Sequence, residues 1–193
     1  MERKDLLKNV IKYKENNPKE DITVLENFIK DNVNPFTRKN LEGHVTCSSW
    51  IVDQKMEKAL LIHNTKFDKW LQPGGHMEEG ESVFEAALRE GIEETGIKEL
   101  DFYKKEIFDI DIHQIPENKK KGEPAHYHYD IRFITQAKDY DVSIDKEECS
   151  DFQWIDLKEL KTKTEDQSIL RMIEKTEELS LELNSKKRRR QRP

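Results

Sequence analysis

From Gly74 to Ile97 the chain reads GGHMEEGESVFEAALREGIEETGI, and no other segment constrains the fold as tightly. Trp70-Leu71-Gln72 reads as a short strand that Pro73-Gly74-Gly75 stops. Ser82 followed three residues later by Glu85 is a capping box. It starts a helix by satisfying two backbone N–H groups that no helical carbonyl can reach. Gly96 supplies the stop, so the spacing predicts a helix over about 82–95. Phe84, Ala87, Leu88 and Ile92 form its apolar stripe, and Glu90, Glu93 and Glu94 share another face at offsets of three and four. Like charges at that spacing cost about 0.2–0.5 kcal/mol per pair. They also sit at the helix C-terminus, where the macrodipole disfavours anions. Three glutamates alone read as a solvated acidic face. A hard cation against them, Mg2+ or Mn2+, would relieve that repulsion. Arg89 is placed to orient one of the carboxylates.

Taken whole, the segment is Gly75, five residues, Glu81, seven residues, Arg89-Glu90, two residues, Glu93-Glu94, one residue, Gly96-Ile97. This spacing resembles the signature of the Nudix hydrolase family. One position departs: Gly91 stands where the family usually has an aliphatic residue, and a helical glycine costs about 1 kcal/mol relative to alanine. The resemblance implies an α/β (α+β) fold, a Nudix-like α/β/α sandwich with a mixed β-sheet. It implies metal ligation by Glu90, Glu93 and Glu94 with the Gly74 carbonyl, and support from Gly75, Glu81 and Arg89. Glu93, Glu94, Arg89 and Glu148 form the expected catalytic set. Glu148 stands a few residues before Trp154, where many family members carry a base or further ligand, and Glu147 is its near rival. The implied reaction is metal-dependent attack of water on a phosphorus of a small diphosphate-containing substrate such as a nucleoside diphosphate derivative.

A second constellation lies downstream. Asp109-Ile110-Asp111-Ile112-His113 and His126-Tyr127-His128-Tyr129-Asp130-Ile131-Arg132 each alternate at period two, as half-buried strands do. Paired, they put Asp109, Asp111, His113, His126, His128, Asp130 and Arg132 on one surface. That surface is either the solvent face of an antiparallel pair, or it lines the substrate pocket or holds a further metal ion. His113, His128, Asp130 and Arg132 are candidate substrate contacts, and Arg132 could grip a phosphate. His76, directly after the glycine turn, could face the phosphates. His44 and His63 read as lone structural histidines. Trp50, Trp70 and Trp154 read as core.

Before the signature, residues 1–40 read as a helical extension packed on a main domain at 41–184, with helices near 2–15 and 20–32. Strands are expected near 44–52, 58–63, 102–112, 127–136 and 152–155, and a last helix over about 165–184. Residues 185–193 read as a disordered basic tail. Its six basic side chains, taken off the net charge of −6, leave −12 on residues 1–185. An acidic body does not attract nucleic acid by its overall field, so a nucleic-acid partner is the lesser reading. Cys47 and Cys149 lack metal-ligand spacing, and the N-terminus and hydropathy show no apolar leader or membrane segment. A cytoplasmic protein with no membrane partner is expected. A homodimer stays open. The alternatives are an RNA 5′-end pyrophosphohydrolase and a non-catalytic nucleotide-binding module. The module would be expected to have lost ligand glutamates, and this chain keeps them all.

Overall fold

The computed structural model describes residues 3–119 and 122–190, with side chains described as far as residue 186. Lys120, Lys121 and the last three residues of the tail lie outside the described residues. Two helices, α1 (Arg3–Asn16) and α2 (Thr23–Asp31), precede a mixed sheet. Its strands are β1 (Gly43–Val52), β2 (Lys58–Asn64), β3 (Lys69–Leu71), β4 (Gly74–His76), β5 (Leu100–Phe102), β6 (Asp109–Ile115), β7 (His126–Ala137) and β8 (Cys149–Asp156). Helix α3 (Val83–Thr95) lies between β4 and β5, and α4 (Leu157–Lys163) and α5 (Gln167–Arg190) follow β8.

β1 is the axis of the sheet. It runs parallel to β7 from Gly43↔Tyr127 to Val52↔Gln136. β4 pairs antiparallel with β1, β5 and β6 with β7, and β8 and β3 with β2. β1 and β2 share one paired position, Val52↔Ala59. The two strands therefore diverge, and β2 continues into a second wing with β8. This curls the sheet and opens a cleft between the wings.

The pleat of β1 and β7 sorts their side chains onto two faces. On one, Val45, Cys47, Tyr129, Ile131 and Phe133 pack with Val83, Ala86 and Ala87 of α3 and with Leu6, Val10, Leu25, Phe28 and Ile29 of α1 and α2. On the other, Trp50, Val52 and Ile134 pack under Ile169, Met172 and Ile173 of α5. Helices thus lie on both faces of a mixed sheet. Past Trp50 the cover of α5 ends, and the polar residues of that face form the floor of the cleft.

Several sequence expectations change. The expected strand at 102–112 is two strands. Tyr103 and Phe108 donate to Ile134 and Arg132 carbonyls of β7, and the polar residues between them loop outward. Helix α4 was not anticipated, although Asp156 caps it by accepting from the Lys158 N–H at 2.9 Å. The last helix runs on to Arg190 rather than ending near 184, so the tail is helical that far. Lys and Arg are good helix formers and complement the helix C-terminus, and no Gly or Pro intervenes before Pro193. Trp50 is buried, but Trp70 is exposed and not core.

Candidate active site

Helix α3 begins as the sequence predicts. The Ser82 hydroxyl accepts from the Glu85 N–H at 3.2 Å, and the Glu85 carboxylate accepts from the Ser82 N–H at 2.8 Å. It ends at Gly96, which has φ 68°. The expected stripe is kept in part: Ala87 is buried and Phe84 and Leu88 pack against the core, but the inward face is turned away from Ile92. Val83, Ala86, Ala87 and Gly91 face inward, and Ile92 is exposed. Gly91 decides this orientation. A Cβ there would lie 2.9 Å from Leu100 Cδ2 of β5 and 3.1 Å from Ser49 Cβ of β1, so α3 packs closely on both strands at the glycine and a side chain there would make its neighbours shift. The departure from the family pattern is a packing contact rather than a weakness.

The close approach carries Glu90 and Glu94 against β4. A Cβ on Gly75 would meet the Glu90 carboxylate at 2.6 Å. Glu94 is 2% exposed and accepts the Gly74 N–H at 2.7 Å. Among the described residues it has no ion pair; the Cys149 thiol lies 3.9 Å from it, and the Glu148 carboxyl lies beside it. Burial pushes its pKa up to about 8, with Glu90 and Glu148 adding repulsion. Glu90 is raised as well, again chiefly by burial.

Arg89 organises the loop and helix together. Its guanidinium donates to both Glu81 oxygens at 2.7 and 3.0 Å, to Glu90 at 3.0 Å, to Glu93 at 2.9 Å and to the His76 carbonyl at 2.9 Å. Glu81 also takes the Glu78 N–H at 2.9 Å. Glu93 differs from its two companions. It is well exposed and tied to Arg89, at the rim rather than in the cleft wall.

A cleft of ≈540 Å³ opens over these groups. Glu90, Glu94, Gly74, Gly75, His76, His113, His128, Asp130, Glu147 and Glu148 all line it, so two distant sequence constellations meet in space. Glu147 and Glu148 both reach the wall. Glu148 is the one that interacts with Glu90 and Glu94, and its carbonyl is anchored by the Thr65 N–H at 2.9 Å. Sequence reading missed Thr46 and Ser48, whose hydroxyls donate to Asp130 on the cleft floor at 3.1 and 2.8 Å. Period-two spacing from His44 was the available signal. It also missed Arg38, Lys66 and Phe67 on the rim, which carry no local pattern.

Arg132 is placed differently from the phosphate grip expected of it. It is 3% exposed. Its donors go to Asp130 at 2.7 Å, Asp111 at 3.3 Å and Asp109 at 3.5 Å. Asp109 is fully buried and also meets Arg171 at 2.7 Å and Lys175 at 2.7 Å from α5. The Asp/Arg part of the paired strands is therefore interior rather than a solvent face. His44 is not a lone structural histidine either, since its ring lies 4.9 Å from that of His76 and 4.8 Å from that of His128. His63 is separate from this group, hydrogen-bonded to Ser150 at 2.7 Å.

A family model, the NUDIX domain, matches residues 43–175. The chain belongs to the NUDIX domain family. Among curated relatives, a probable DHNTP pyrophosphohydrolase of Lactococcus lactis is 33% identical over 92 residues, covering 47% of this chain and 53% of that protein. The chain thus spans about half the length of that relative. An RNA pyrophosphohydrolase of Pelagibacter ubique is 31% identical over 116 residues, covering 56% of this chain and 72% of the relative. The MutT protein from Methanosarcina mazei shares the fold, with a TM-score of 0.56 at 21% identity over 70% of this chain and 94% of that one. No helix among the described residues is long and apolar enough to cross a membrane.

Proposed function

We propose that this NUDIX protein is a divalent-metal-dependent hydrolase cleaving the pyrophosphate bond of a nucleoside diphosphate derivative or similar small diphosphate. The observation that carries the reading is the buried Glu94 carboxylate in the cleft wall, held by one backbone N–H and without an ion pair among the described residues. A buried carboxylate without a countercharge is costly, and a hard dication is the group that offsets it. The donor set fits such an ion. Glu90 and Glu94 would hold Mg2+ or Mn2+, with Glu93 reaching in from the rim and the Gly74 carbonyl as a further oxygen. When bound, the metal neutralises diphosphate oxygens and acidifies water.

The chain's own residues supply positioning and proton transfer. Arg89 holds Glu90 and the Glu81 loop in register. Glu148, facing Glu90 and Glu94, takes the proton of the attacking water. Arg38 and Lys66 hold phosphate oxygens across the cleft, and exposed Phe67 offers a face for a base. His76, His113, His128 and Asp130 complete the wall on the far side.

Glu94→Gln keeps an acceptor for the Gly74 N–H, so its fold and melting temperature are expected to hold. Mg2+-dependent turnover is expected to fall to background. Phosphate release is measured over nucleotide sugars, dinucleotides, nucleoside triphosphates and 5′-triphosphorylated RNA. Silence across that panel, or near-full activity of Glu94→Gln, overturns the reading. The Pelagibacter relative makes RNA the second substrate to test. Turnover confined to RNA, steeply salt-dependent and lost on deleting residues 186–193, would move the substrate there.

A further inference from the structure

Three strands converge on a group of histidines at the far wall of the cleft, away from the carboxylates. Cross-strand register brings them together. His44 of β1 lies opposite His128 of β7, and Thr46, two residues along the same face of β1, lies opposite His76 of β4. The ligand atoms of His44, His76 and His128 all lie within 4.8 Å of one another. His128 is the centre of a larger nest. The rings of His44, His76, His113 and His126 stand 4.8, 5.2, 5.5 and 5.2 Å from it.

His44 is the observation that points to a ligand. It is 3% exposed, and neither ring nitrogen has a hydrogen-bond partner. The Asn40 backbone lies nearby, outside hydrogen-bond geometry. Buried imidazole nitrogens are normally satisfied. This ring instead borders a cavity of ≈60 Å³ shared with His76, His126 and His128, room for an ion and a water. His76 and His128 line both this cavity and the large cleft, so the two spaces meet at these side chains.

We propose that His44, His76 and His128 form a second metal site, a three-imidazole centre for a first-row transition ion, with Zn2+ its foremost occupant. Three neutral imidazoles suit Zn2+, Co2+ or Ni2+ and not Mg2+, which wants oxygen. Ligand nitrogens about 2.0–2.1 Å from a tetrahedral Zn2+ lie closer together than they do here. Small ring rotations into the cavity close that gap, and half-buried His76 has the room to make them. A three-ligand set leaves the fourth position for water or an anion. Outer partners are in place as well. The Pro124 carbonyl accepts from His126 Nδ1 at 2.9 Å, and Asp111 pairs with His113 Nδ1 at 2.9 Å, fixing two rings that back His128. Arg38 and Lys66 on the cavity wall oppose a bare dication, and Glu123 on the same wall offsets part of their charge.

The site is chemically distinct from the carboxylates and does not depend on hydrolysis, so it is tested by binding. Full-length protein without a histidine tag is dialysed against excess Mg2+ with Co2+ at a small excess over protein. Bound cobalt is counted, and its visible ligand-field absorption is recorded. One equivalent of Co2+ with a nitrogen-ligand spectrum is expected, displaced by Zn2+ and not by Mg2+. The Glu90→Gln/Glu94→Gln double variant is expected to retain it. His44→Gln is expected to lose it, and His76→Gln, at a more exposed position, gives the same reading should His44→Gln fold poorly. Absence of Co2+ from the wild type under Mg2+ overturns the proposal. So does its loss in the glutamate double variant, or its retention in both histidine variants.

Discussion

At Gly91 a methyl group would press on Leu100 and Ser49. Both neighbours are buried, so either must shift within a packed interior to admit it. The helix accepts a propensity cost of about 1 kcal/mol and in return docks on β1 closely enough to bring Glu90 and Glu94 against β4. Gly91→Val is therefore expected to destabilise the protein by about 1–3 kcal/mol through overpacking. An unchanged denaturation midpoint would refute the packing account. Arg89 works by geometry rather than charge alone. Its planar fork reaches Glu81, Glu90, Glu93 and the His76 carbonyl at once, which a lysine ammonium cannot do. Arg89→Lys is expected to lower turnover or metal affinity by about 10–100-fold, measured as kcat and as the Mg2+ concentration for half-activation. Wild-type values for both would show that charge suffices. The capping box and the glutamate spacing were legible in sequence because they depend on residues three and four apart. The helix's inward face was legible at Phe84, Ala87 and Leu88, but not its exact rotation, which turns Gly91 in and Ile92 out through a contact with Ser49, some forty positions earlier in the chain.

Among the elements, the paired strands β6 and β7 show how one sheet face divides its work. The period-two pattern identified which side chains share the face, and the register Asp109↔Arg132, Asp111↔Asp130, His113↔His128 places them opposite one another. What alternation cannot show is where α5 stops covering that face. Under the helix, Arg171 and Lys175 join Arg132 around Asp109, and beyond it the face opens into the cleft at His113 and His128. Burial opposes the charge on Arg132, and Asp130, Asp111 and Asp109 more than offset it, raising its pKa. This knot ties β6 and β7 to the covering helix. Removing one partner from a buried ionic network leaves charge uncompensated and typically costs about 3–5 kcal/mol. Arg132→Met is expected to destabilise the protein by that amount. Urea denaturation checks it, and a loss under about 1 kcal/mol would show that the remaining cations rebalance the three aspartates.

For the whole molecule, the point at issue is whether the first forty residues are an appendage or part of the domain. The family match begins at residue 43, after both N-terminal helices. Packing ignores that boundary. Leu6, Val10, Leu25 and Ile29 are fully buried in one cluster with Val45 and Ile131 of the sheet. Phe28 stacks on Tyr129 with ring centroids 4.3 Å apart. Pro35 accepts the Val45 N–H at 2.8 Å, tying the segment to the first residues of β1. The ionic knot crosses the boundary as well, since Lys175 pairs with Glu20 at 2.7 Å while holding Asp109. A large apolar side chain moved fully from core to water costs about 1.5–3 kcal/mol. Uncovering Val45, Tyr129 and Ile131 together thus approaches the whole stability of a domain, about 5–15 kcal/mol. Residues 41–193 expressed alone are expected to aggregate or to melt far below the full chain. Calorimetry and light scattering on the two forms decide it. A truncated chain that melts at the full-length temperature and keeps metal-dependent turnover would make the helices a separable attachment.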